Sequence, residues 1–343
     1  MQEEAVPIDR VTDAAVGRPV FISDESARAL LDWPGMIAAL RATYTVEHTP
    51  AMSPPRVLAR SPDGVWMRTL TGLDPFGRFM GVKQFGLSRE RKLKYLISLF
   101  DQQDGEIVAL LDGNGITALR TAATTALAVD RMTPPGAATL GLLGSGAEAF
   151  THARAIHTVR PLERLTVYSP NEERRTAFAT AFEAETGVRA VAATCPEQAV
   201  RDQAIVVGAT RVVNGVAVIR GAWLSPATML ASIGATLPEH REIDPQTIAQ
   251  AGIIVADVPE EVIKETGCFR DADVAGVSFA DEVVSLNDLM LGRVDDRVDS
   301  CGYPLYRSVG GPLQDLAIAT LAYDRAVAAG AARVLPIAFS SKT

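Results

Sequence analysis

The stretch that decides the fold is residues 139–151, which read TLGLLGSGAEAFT. A short apolar run stops at Gly144, and the segment after Gly146 has helical character. Gly144, Gly146 and Ala149 occupy the three small-residue positions of a dinucleotide-binding turn. They permit, in order, a tight turn from strand to helix, close approach of the backbone to a pyrophosphate, and close packing of helix on sheet. The stretch therefore predicts a dinucleotide site at a helix N-terminus.

The pattern of predicted strands and helices differs on the two sides of this turn. From residue 137 onward, short apolar strands alternate with helices, which predicts a doubly wound parallel sheet. Residues 1 to about 120 carry strands joined by turns such as Asp74-Pro75-Phe76-Gly77, which predicts an antiparallel-leaning α+β region. We predict an α/β protein with a Rossmann domain, residues 133–311, inserted into a domain made of residues 1–132 and 312–343.

Composition excludes several classes of protein. The 343 residues are 48% hydrophobic and carry a net charge of -8, which argues against nucleic-acid or membrane partners. Cys195, Cys268 and Cys301 form no CxxC pair and have no matching histidine spacing, so we predict reduced, structural thiols and no metal site. No apolar run reaches the roughly 18 residues of a membrane span, and the N-terminal sequence is acidic and polar. The expected location is the cytoplasm.

The choice between NAD and NADP depends on the end of the second strand. An acid for the ribose is expected roughly 20 residues past the glycines. That place holds Tyr168-Ser169-Pro170-Asn171, followed by Arg174 and Arg175. Ser169 with either arginine can hold a 2′-phosphate, which favours NADP. The alternative is that both arginines are solvated residues of a helix face.

Two cations before the turn are candidates for chemistry on an imine or amino acid. Lys83 ends a mainly apolar strand, where burial would lower its pKa toward a useful range; the alternative is an exposed strand end. Arg120 starts a small-residue helix with no carboxylate partner in the helix, so it is either a surface residue or a carboxylate clamp. Arg56 and Met67 add a second cation and an apolar wall.

Five motifs then occur in one order along the chain. They are Met80-Gly81-Val82-Lys83; Leu119-Arg120-Thr121-Ala122-Ala123; Gly144-Ser145-Gly146-Ala147-Glu148-Ala149; Ile233-Gly234-Ala235 with Arg241-Glu242-Ile243-Asp244; and Tyr306-Arg307-Ser308-Val309-Gly310-Gly311 with Asp315. From about Arg56 to the C-terminus, this combination resembles the ornithine cyclodeaminase and mu-crystallin family.

The resemblance implies a homodimer in which the first region and the last helix form the substrate-binding and dimerisation domain. It implies that Lys83 is the catalytic lysine and that Arg56 and Arg120 bind the substrate carboxylate. Asp315 matches an acid near the active site, with a helix cap or a core partner as the alternative. The residues predicted to contact NADP or NAD are Thr121, Gly144, Ser145, Gly146, Ala147, Glu148, Ser169, Asn171, Arg174, Thr210, Val309 and Gly310.

One departure from the family pattern decides the predicted reaction. In the cyclodeaminases and the related alanine dehydrogenases, the segment after the fifth Rossmann strand resembles GADAPGKxEL. Here Thr236 stands in the place of its aspartate. Since threonine is no carboxylate base, the sequence favours NAD(P)H-dependent reduction of a 2-imino acid, or the reverse oxidation of an amino acid. The alternatives are an ornithine cyclodeaminase-type lyase and a non-catalytic NADP-dependent binding protein. His240 is either a compensating base or a solvated loop residue.

Two further positions bear on the contacts with the cofactor and with the substrate. Glu148 replaces the glutamine that the family has in the glycine turn. Arg78 is either a second anion contact for an acidic substrate or a plain surface residue, and the substrate side chain stays undetermined.

Overall fold

The computed structural model describes residues 18–210, 212, 215–300 and 302–340. Within these ranges the chain forms two compact units. The first comprises the described residues up to Thr43, residues 48–120 and the residues from Gly311 onward; the second comprises residues 44–47 and 121–310. Cys195 is an exposed free thiol and Cys268 a buried one, whereas Cys301 lies outside the described residues.

Strands and helices are numbered in chain order. The strands are β1 (Val20–Ile22), β2 (Val57–Arg60), β3 (Trp66–Leu73), β4 (Phe79–Leu87), β5 (Leu93–Asp101), β6 (Ile107–Asp112), β7 (Thr139–Leu143), β8 (Arg164–Tyr168), β9 (Arg189–Ala192), β10 (Ile205–Gly208), β11 (Met229–Ser232), β12 (Ala251–Ala256), β13 (Val283–Ser285), β14 (Tyr303–Arg307) and β15 (Arg333–Val334). The helices are α1 (Asp24–Leu30), α2 (Trp33–Tyr44), α3 (Gly113–Met132), α4 (Ala147–Val159), α5 (Glu172–Thr186), α6 (Pro196–Val200), α7 (Pro245–Ala249), α8 (Pro259–Glu265), α9 (Gly267–Val274), α10 (Leu286–Met290), α11 (Asp295–Ser300) and α12 (Pro312–Ala328).

The first unit is built on a mixed sheet in the order β15-β1-β6-β5-β4-β3-β2. Neighbouring strands from β2 to β6 are antiparallel, and β1 runs parallel to β6. Because side chains alternate between the two faces of a sheet, Lys83 shares one face with Leu70 and Ile97, its direct neighbours in register. We call this the Lys83 face.

Two glycines let helix α12 lie close to the Lys83 face. A Cβ atom at Gly81 would come within 2.5 Å of the Ser98 carbonyl oxygen and 2.6 Å of the Leu316 side chain. A Cβ atom at Gly72 would come within 3.1 Å of both Pro312 and Leu316. The small strand residues therefore bring the first turn of α12 down onto β3 and β4.

The second unit is built on eight parallel strands in the order β13-β12-β14-β11-β10-β7-β8-β9. The chain moves outward from β7 through β8 to β9 and then returns to the other side of β7 at β10. This reversal is the switch point at which open α/β sheets bind ligands, at the carboxyl ends of the strands. The predicted combination of a Rossmann doubly wound sheet with an α+β region is confirmed.

The boundary between the units lies inside α3, between Arg120 and Thr121. The predicted hinge at residues 133–136 instead follows the end of this helix. The predicted limits of the substrate-binding and dimerisation domain, 1–132 with 312–343, and of the Rossmann domain, 133–311, stay a prediction.

No helix in the described ranges is both long and apolar enough to cross a bilayer. The described residues also contain no group of three or more histidine, cysteine, aspartate or glutamate side chains arranged to hold a metal ion. The cytoplasmic location stays a prediction.

Candidate active site and cofactor site

Lys83 forms a buried ion pair with an acid from the far end of the chain. Lys83 is 3% exposed, and its Nζ donates a 2.8 Å hydrogen bond to Oδ1 of Asp315. Asp315 lies in the first turn of α12 and is 1% exposed. Lys83 is thus buried rather than an exposed strand end, and Asp315 is its direct charge partner.

Arg120 joins the same carboxylate from helix α3. Its Nε lies 2.9 Å from Oδ1 of Asp315, and its Nη1 donates a 2.7 Å hydrogen bond to Oε1 of Gln314. Arg120 is 5% exposed, which excludes the surface alternative. We call Lys83, Arg120, Gln314 and Asp315 the Lys83 cluster; the motifs give no sign of Gln314, whose position beside Asp315 is its only sequence signal.

Burial brings the pKa of Lys83 close to neutrality. It lowers the pKa of Lys83 from its ordinary 10.5 to about 7, and the charge of Arg120 acts in the same direction. The carboxylate of Asp315 opposes both effects, and Arg56 lowers the pKa of Lys83 further. At neutral pH the ammonium and the neutral amine of Lys83 are therefore both populated. A side chain that both gives and takes a proton needs both forms.

The other two predicted substrate residues differ in their relation to Lys83. Arg56 immediately precedes β2, is half-buried, and lies near enough to Lys83 to act on its pKa. Met67 is 48% exposed and pairs with Gly86, so it lies on the face opposite Lys83. The structure does not bring Met67 to the Lys83 cluster. The side chains that β3 contributes to the Lys83 face include those of Arg68 and Leu70.

The glycine turn lies at the carboxyl end of β7, at the switch point. The Gly144 amide donates to the carbonyl of Tyr168 at 2.8 Å, and its φ of +117° is a conformation that favours glycine. Gly146 is the N-cap of α4, whose first turn contains Ala147 and the exposed Glu148. A Cβ atom at Gly146 would have nothing within 4 Å, so the open space for an approaching pyrophosphate is present. The residues of this turn fit a dinucleotide.

Replacing Gly144 is expected to lower stability, whereas replacing Gly146 is expected to weaken cofactor binding. A Cβ atom at Gly144 would lie 2.5 Å from the Ala209 carbonyl oxygen, so Gly144→Ala should lower the free energy of unfolding by more than about 1 kcal/mol. Gly146→Ala should leave unfolding nearly unchanged but raise the Kd for NAD(P) about tenfold or more, or about 1.4 kcal/mol. Urea denaturation and cofactor titration check both results, and equal effects of the two variants on stability would contradict them.

The glycine turn and the end of β8 each supply a hydroxyl, and an exposed cation follows β8. The Oγ atoms of Ser145 and Ser169 lie 2.7 Å apart, and the Asn171 side chain caps α5 by accepting from the Arg174 amide at 2.8 Å. Arg175 is 9% exposed and donates to the Ser169 carbonyl at 3.0 Å, so it stabilises the turn. Arg174 is exposed, so it stays the candidate arginine for a 2′-phosphate.

A buried acid that the sequence assigned to no role organises the ends of β10 and β11. Glu242 is fully buried, and its Oε1 accepts from both the amide and the hydroxyl of Thr210 at 2.8 Å. Its Oε2 accepts from the Ser232 hydroxyl at 2.7 Å and from the Gly234 amide at 3.0 Å. Thr210 therefore belongs to a rigid hydrogen-bonded edge of the sheet.

A second acid holds the loop after β14. The Asp257 carboxylate accepts from the amides of Val309 and Gly310, at 2.9 and 2.8 Å, and from the Ser308 hydroxyl at 2.7 Å. Gly310 has a φ of +85° in this loop. Asp257 could have been suspected because it directly follows a buried strand at the ligand-binding edge of the sheet. The roles of Val309, Gly310 and the half-buried Thr121 toward the cofactor stay predictions.

These features define a class of protein, a dinucleotide-binding α/β oxidoreductase with a lysine, carboxylate and arginine cluster in a separate unit. The chain belongs to the ornithine cyclodeaminase/mu-crystallin family, whose model matches residues 49–330.

Several proteins of known name resemble the chain. Ketimine reductase mu-crystallin of Mus musculus is 28% identical over 228 residues, 66% of this chain and 68% of the relative. Delta(1)-pyrroline-2-carboxylate reductase of Bacillus cereus is 28% identical over 249 residues, 72% of this chain and 75% of the relative. The Thermococcus litoralis Delta(1)-pyrroline-2-carboxylate reductase, solved with NADH and L-proline, shares the fold with a TM-score of 0.85 at 23% identity, covering 92% of this chain and all of the other.

Proposed function

We propose that this protein uses NAD(P)H to reduce a 2-imino acid to the corresponding amino acid. The observation that carries the proposal is the buried Lys83 cluster, in which a lysine of pKa about 7 shares Asp315 with Arg120. The named relatives support it, since a ketimine reductase and a pyrroline-2-carboxylate reductase both act on carbon–nitrogen double bonds.

Each member of the cluster has a distinct role in this reaction. Arg120 and Arg56 bind the substrate carboxylate, for which the guanidinium fork is suited. Lys83 gives its proton to the imine nitrogen and is returned to the ammonium form by solvent. Asp315 holds Lys83 and Arg120 in place and keeps part of the lysine protonated at neutral pH.

The cofactor supplies the hydride when bound. The segments that would hold it are the turn from Gly144 to Glu148 and the ends of β8, β10 and β14. The imine carbon would receive that hydride and the imine nitrogen the proton of Lys83, with NAD(P)⁺ as the co-product. Thr236 in the loop after β11 provides no carboxylate base for cyclodeamination.

Steady-state assays test the proposal directly. The protein is incubated with NADPH or NADH and with pyrroline-2-carboxylate, piperideine-2-carboxylate, or keto acids with ammonia. We expect stoichiometric oxidation of the cofactor and formation of the amino acid. Ammonia release from ornithine without net cofactor oxidation would indicate a cyclodeaminase, and tight ligand binding without turnover would indicate a binding protein.

We propose NADP as the preferred cofactor because Arg174 is the exposed cation at the end of β8. Arg174→Ala is expected to raise the KM for NADPH about tenfold while leaving the KM for NADH nearly unchanged, since only the 2′-phosphate contact is lost. Arg189→Ala, at the amino end of β9, is the matched control and should change neither value. Equal effects of Arg174→Ala on both cofactors would contradict the assignment.

We propose that the protein is a homodimer that uses the sheet face opposite Lys83. That face exposes Val57 of β2, Met67 and Leu73 of β3, and Leu96 of β5, which are 39–68% exposed. Light scattering should give twice the mass of the chain, and the double variant Met67→Lys and Leu96→Lys should give the monomer mass. Val274→Lys, at an 88% exposed position of the other unit, is the control and should remain dimeric. A monomeric wild type would overturn the proposal.

A further inference from the structure

Helix α12 places an amide beside the carboxylate of the Lys83 cluster. Gln314 and Asp315 are consecutive residues of its first turn, and they are 0% and 1% exposed. Consecutive residues of an α-helix point about 100° apart, so the two side chains can approach one group from two directions. That group is the guanidinium of Arg120, on helix α3. The reaction proposed above gives a role to Asp315 and none to Gln314.

The two side chains contact different corners of the guanidinium. Nε of Arg120 lies 2.9 Å from Oδ1 of Asp315, and Nη1 donates a 2.7 Å hydrogen bond to Oε1 of Gln314. Because the guanidinium is planar and rigid, contacts at two of its corners fix both its position and its plane. A guanidinium that is already fixed loses less side-chain entropy when it binds a carboxylate.

Burial of the Gln314 amide calls for a compensating contact. An amide removed from water destabilises the fold unless it is hydrogen-bonded. The bond to Arg120 is charge-assisted, which is the stronger kind of hydrogen bond. Methionine has a similar length and would fill this position without a polar group to desolvate. The amide at this position is therefore accounted for by the cation that it holds.

The amide also affects the charge of the Lys83 cluster. When Lys83 is an ammonium, the cluster holds two cations and the single carboxylate of Asp315, because a glutamine side chain is neutral. Glutamate has nearly the same shape as glutamine. At position 314 it would add a negative charge beside the arginine that binds the substrate carboxylate. A neutral amide holds Arg120 without cancelling its charge.

We propose that Gln314 is a positioning residue, which holds Arg120 for the substrate carboxylate with a neutral amide and so keeps the cluster cationic. This inference rests on the proposed imine reduction and assigns a residue to its substrate-binding step. Arg78, the other cation considered for an anion contact, is not part of this arrangement. It forms an exposed ion pair with Asp324 at 2.6 Å and lies over the ring of Phe79.

Two substitutions at position 314 test the inference, with saturating NADPH and the imine that the wild type reduces fastest. Gln314→Met loses the hydrogen bond to Arg120, so KM should rise about tenfold or more while kcat changes less than about threefold. Gln314→Glu keeps an acceptor but adds a negative charge, so KM should also rise. Gln103→Glu, at an exposed turn of the same unit, adds the same charge and should behave as wild type. An unchanged KM in Gln314→Met would overturn the inference.

The pH profile separates this role from simple filling of space. The charged groups that act on Lys83 are Asp315 of α12, Arg120 of α3 and Arg56, which precedes β2; β3 and β5 place the apolar Leu70 and Ile97 beside it and, one step further along the face, Arg68 and Tyr95. A carboxylate at position 314 opposes the effect of the arginines and should raise the pKa of Lys83. The falling limb of kcat/KM should therefore move up by about one pH unit in Gln314→Glu. It should stay in place in Gln314→Met and Gln103→Glu. A limb that does not move in Gln314→Glu would overturn the inference.

If no imine is reduced, the proposed function fails, and a titration of Lys83 decides the inference separately. The protein is labelled with carbon-13 at Cε of lysine, and the Lys83 resonance is identified by its absence in Lys83→Met. The midpoint of its titration should lie near pH 7 in the wild type and higher in Gln314→Glu, whereas Gln103→Glu should match the wild type. Equal midpoints in the wild type and Gln314→Glu would contradict the inference.

Discussion

Lys83→Met is expected to lower kcat for imine reduction by about 10²- to 10⁴-fold while KM changes little. Methionine fills the buried position but has no proton to give, and Asp315 keeps its contact with Arg120. Thermal stability should be retained, because the substitution removes a desolvated charge rather than the only partner of a buried acid. Single-turnover kinetics and thermal denaturation of the same sample check the two parts of this result.

The conservative variant separates proton transfer from charge. Lys83→Arg keeps a cation beside Asp315, yet arginine does not lose its proton in proteins and is a poor acid near neutral pH. It should be as slow as Lys83→Met. Lys264→Met, at an exposed lysine that pairs with Glu260, is the control for general effects and should retain wild-type kcat. Full activity in Lys83→Arg would show that the lysine acts only as a charge.

Asp315→Asn is expected to move the pH profile of the reaction to lower pH. Reduction needs the protonated lysine, so wild-type kcat/KM should fall as pH rises through about 7. The Asp315 carboxylate raises the pKa of Lys83, so its removal lowers that pKa further. The falling limb should shift down by about one pH unit or more, and activity lost at pH 8 should be recovered in part on acidification.

The reverse reaction should show the opposite dependence on pH. Oxidation of the amino acid needs the neutral amine, so its rate should rise with pH through the same pKa, and Asp315→Asn should move that rise to lower pH. Asp324→Asn, which alters an exposed acid of the same helix, should leave both profiles in place. An unchanged profile in Asp315→Asn would remove Asp315 from the proton-transfer step.

Local patterns were enough to predict the glycine turn and most of the secondary structure. Gly144 needs its positive φ and Gly146 its open space for reasons that are visible within a few residues. Strand β14 contains Pro304, a residue that argues against a central strand position. The sheet accommodates Pro304 where the register between β12 and β14 shifts, between Ala251 and Ile253.

The arrangement of the site depends on pairings that no local pattern reveals. Lys83 and Asp315 are 232 positions apart, and their contact requires the close approach of α12 at Gly72 and Gly81. The prediction that Met67 lines the pocket could not be tested without the register of β3 on β4, which places Arg68 on the Lys83 face instead. Glu242 and Asp257 likewise acquire their partners only when neighbouring strands of the parallel sheet end together.

The most direct test of imine reduction by this chain is the fate of a labelled hydride. A 2-imino acid is incubated with NAD(P)H that carries deuterium at the transferable position, and the product is analysed by mass spectrometry and proton NMR. We expect one deuterium at Cα of the amino acid for each NAD(P)H oxidised, and loss of this product in Lys83→Met. A product without deuterium, or one formed without net oxidation of NAD(P)H, would contradict it.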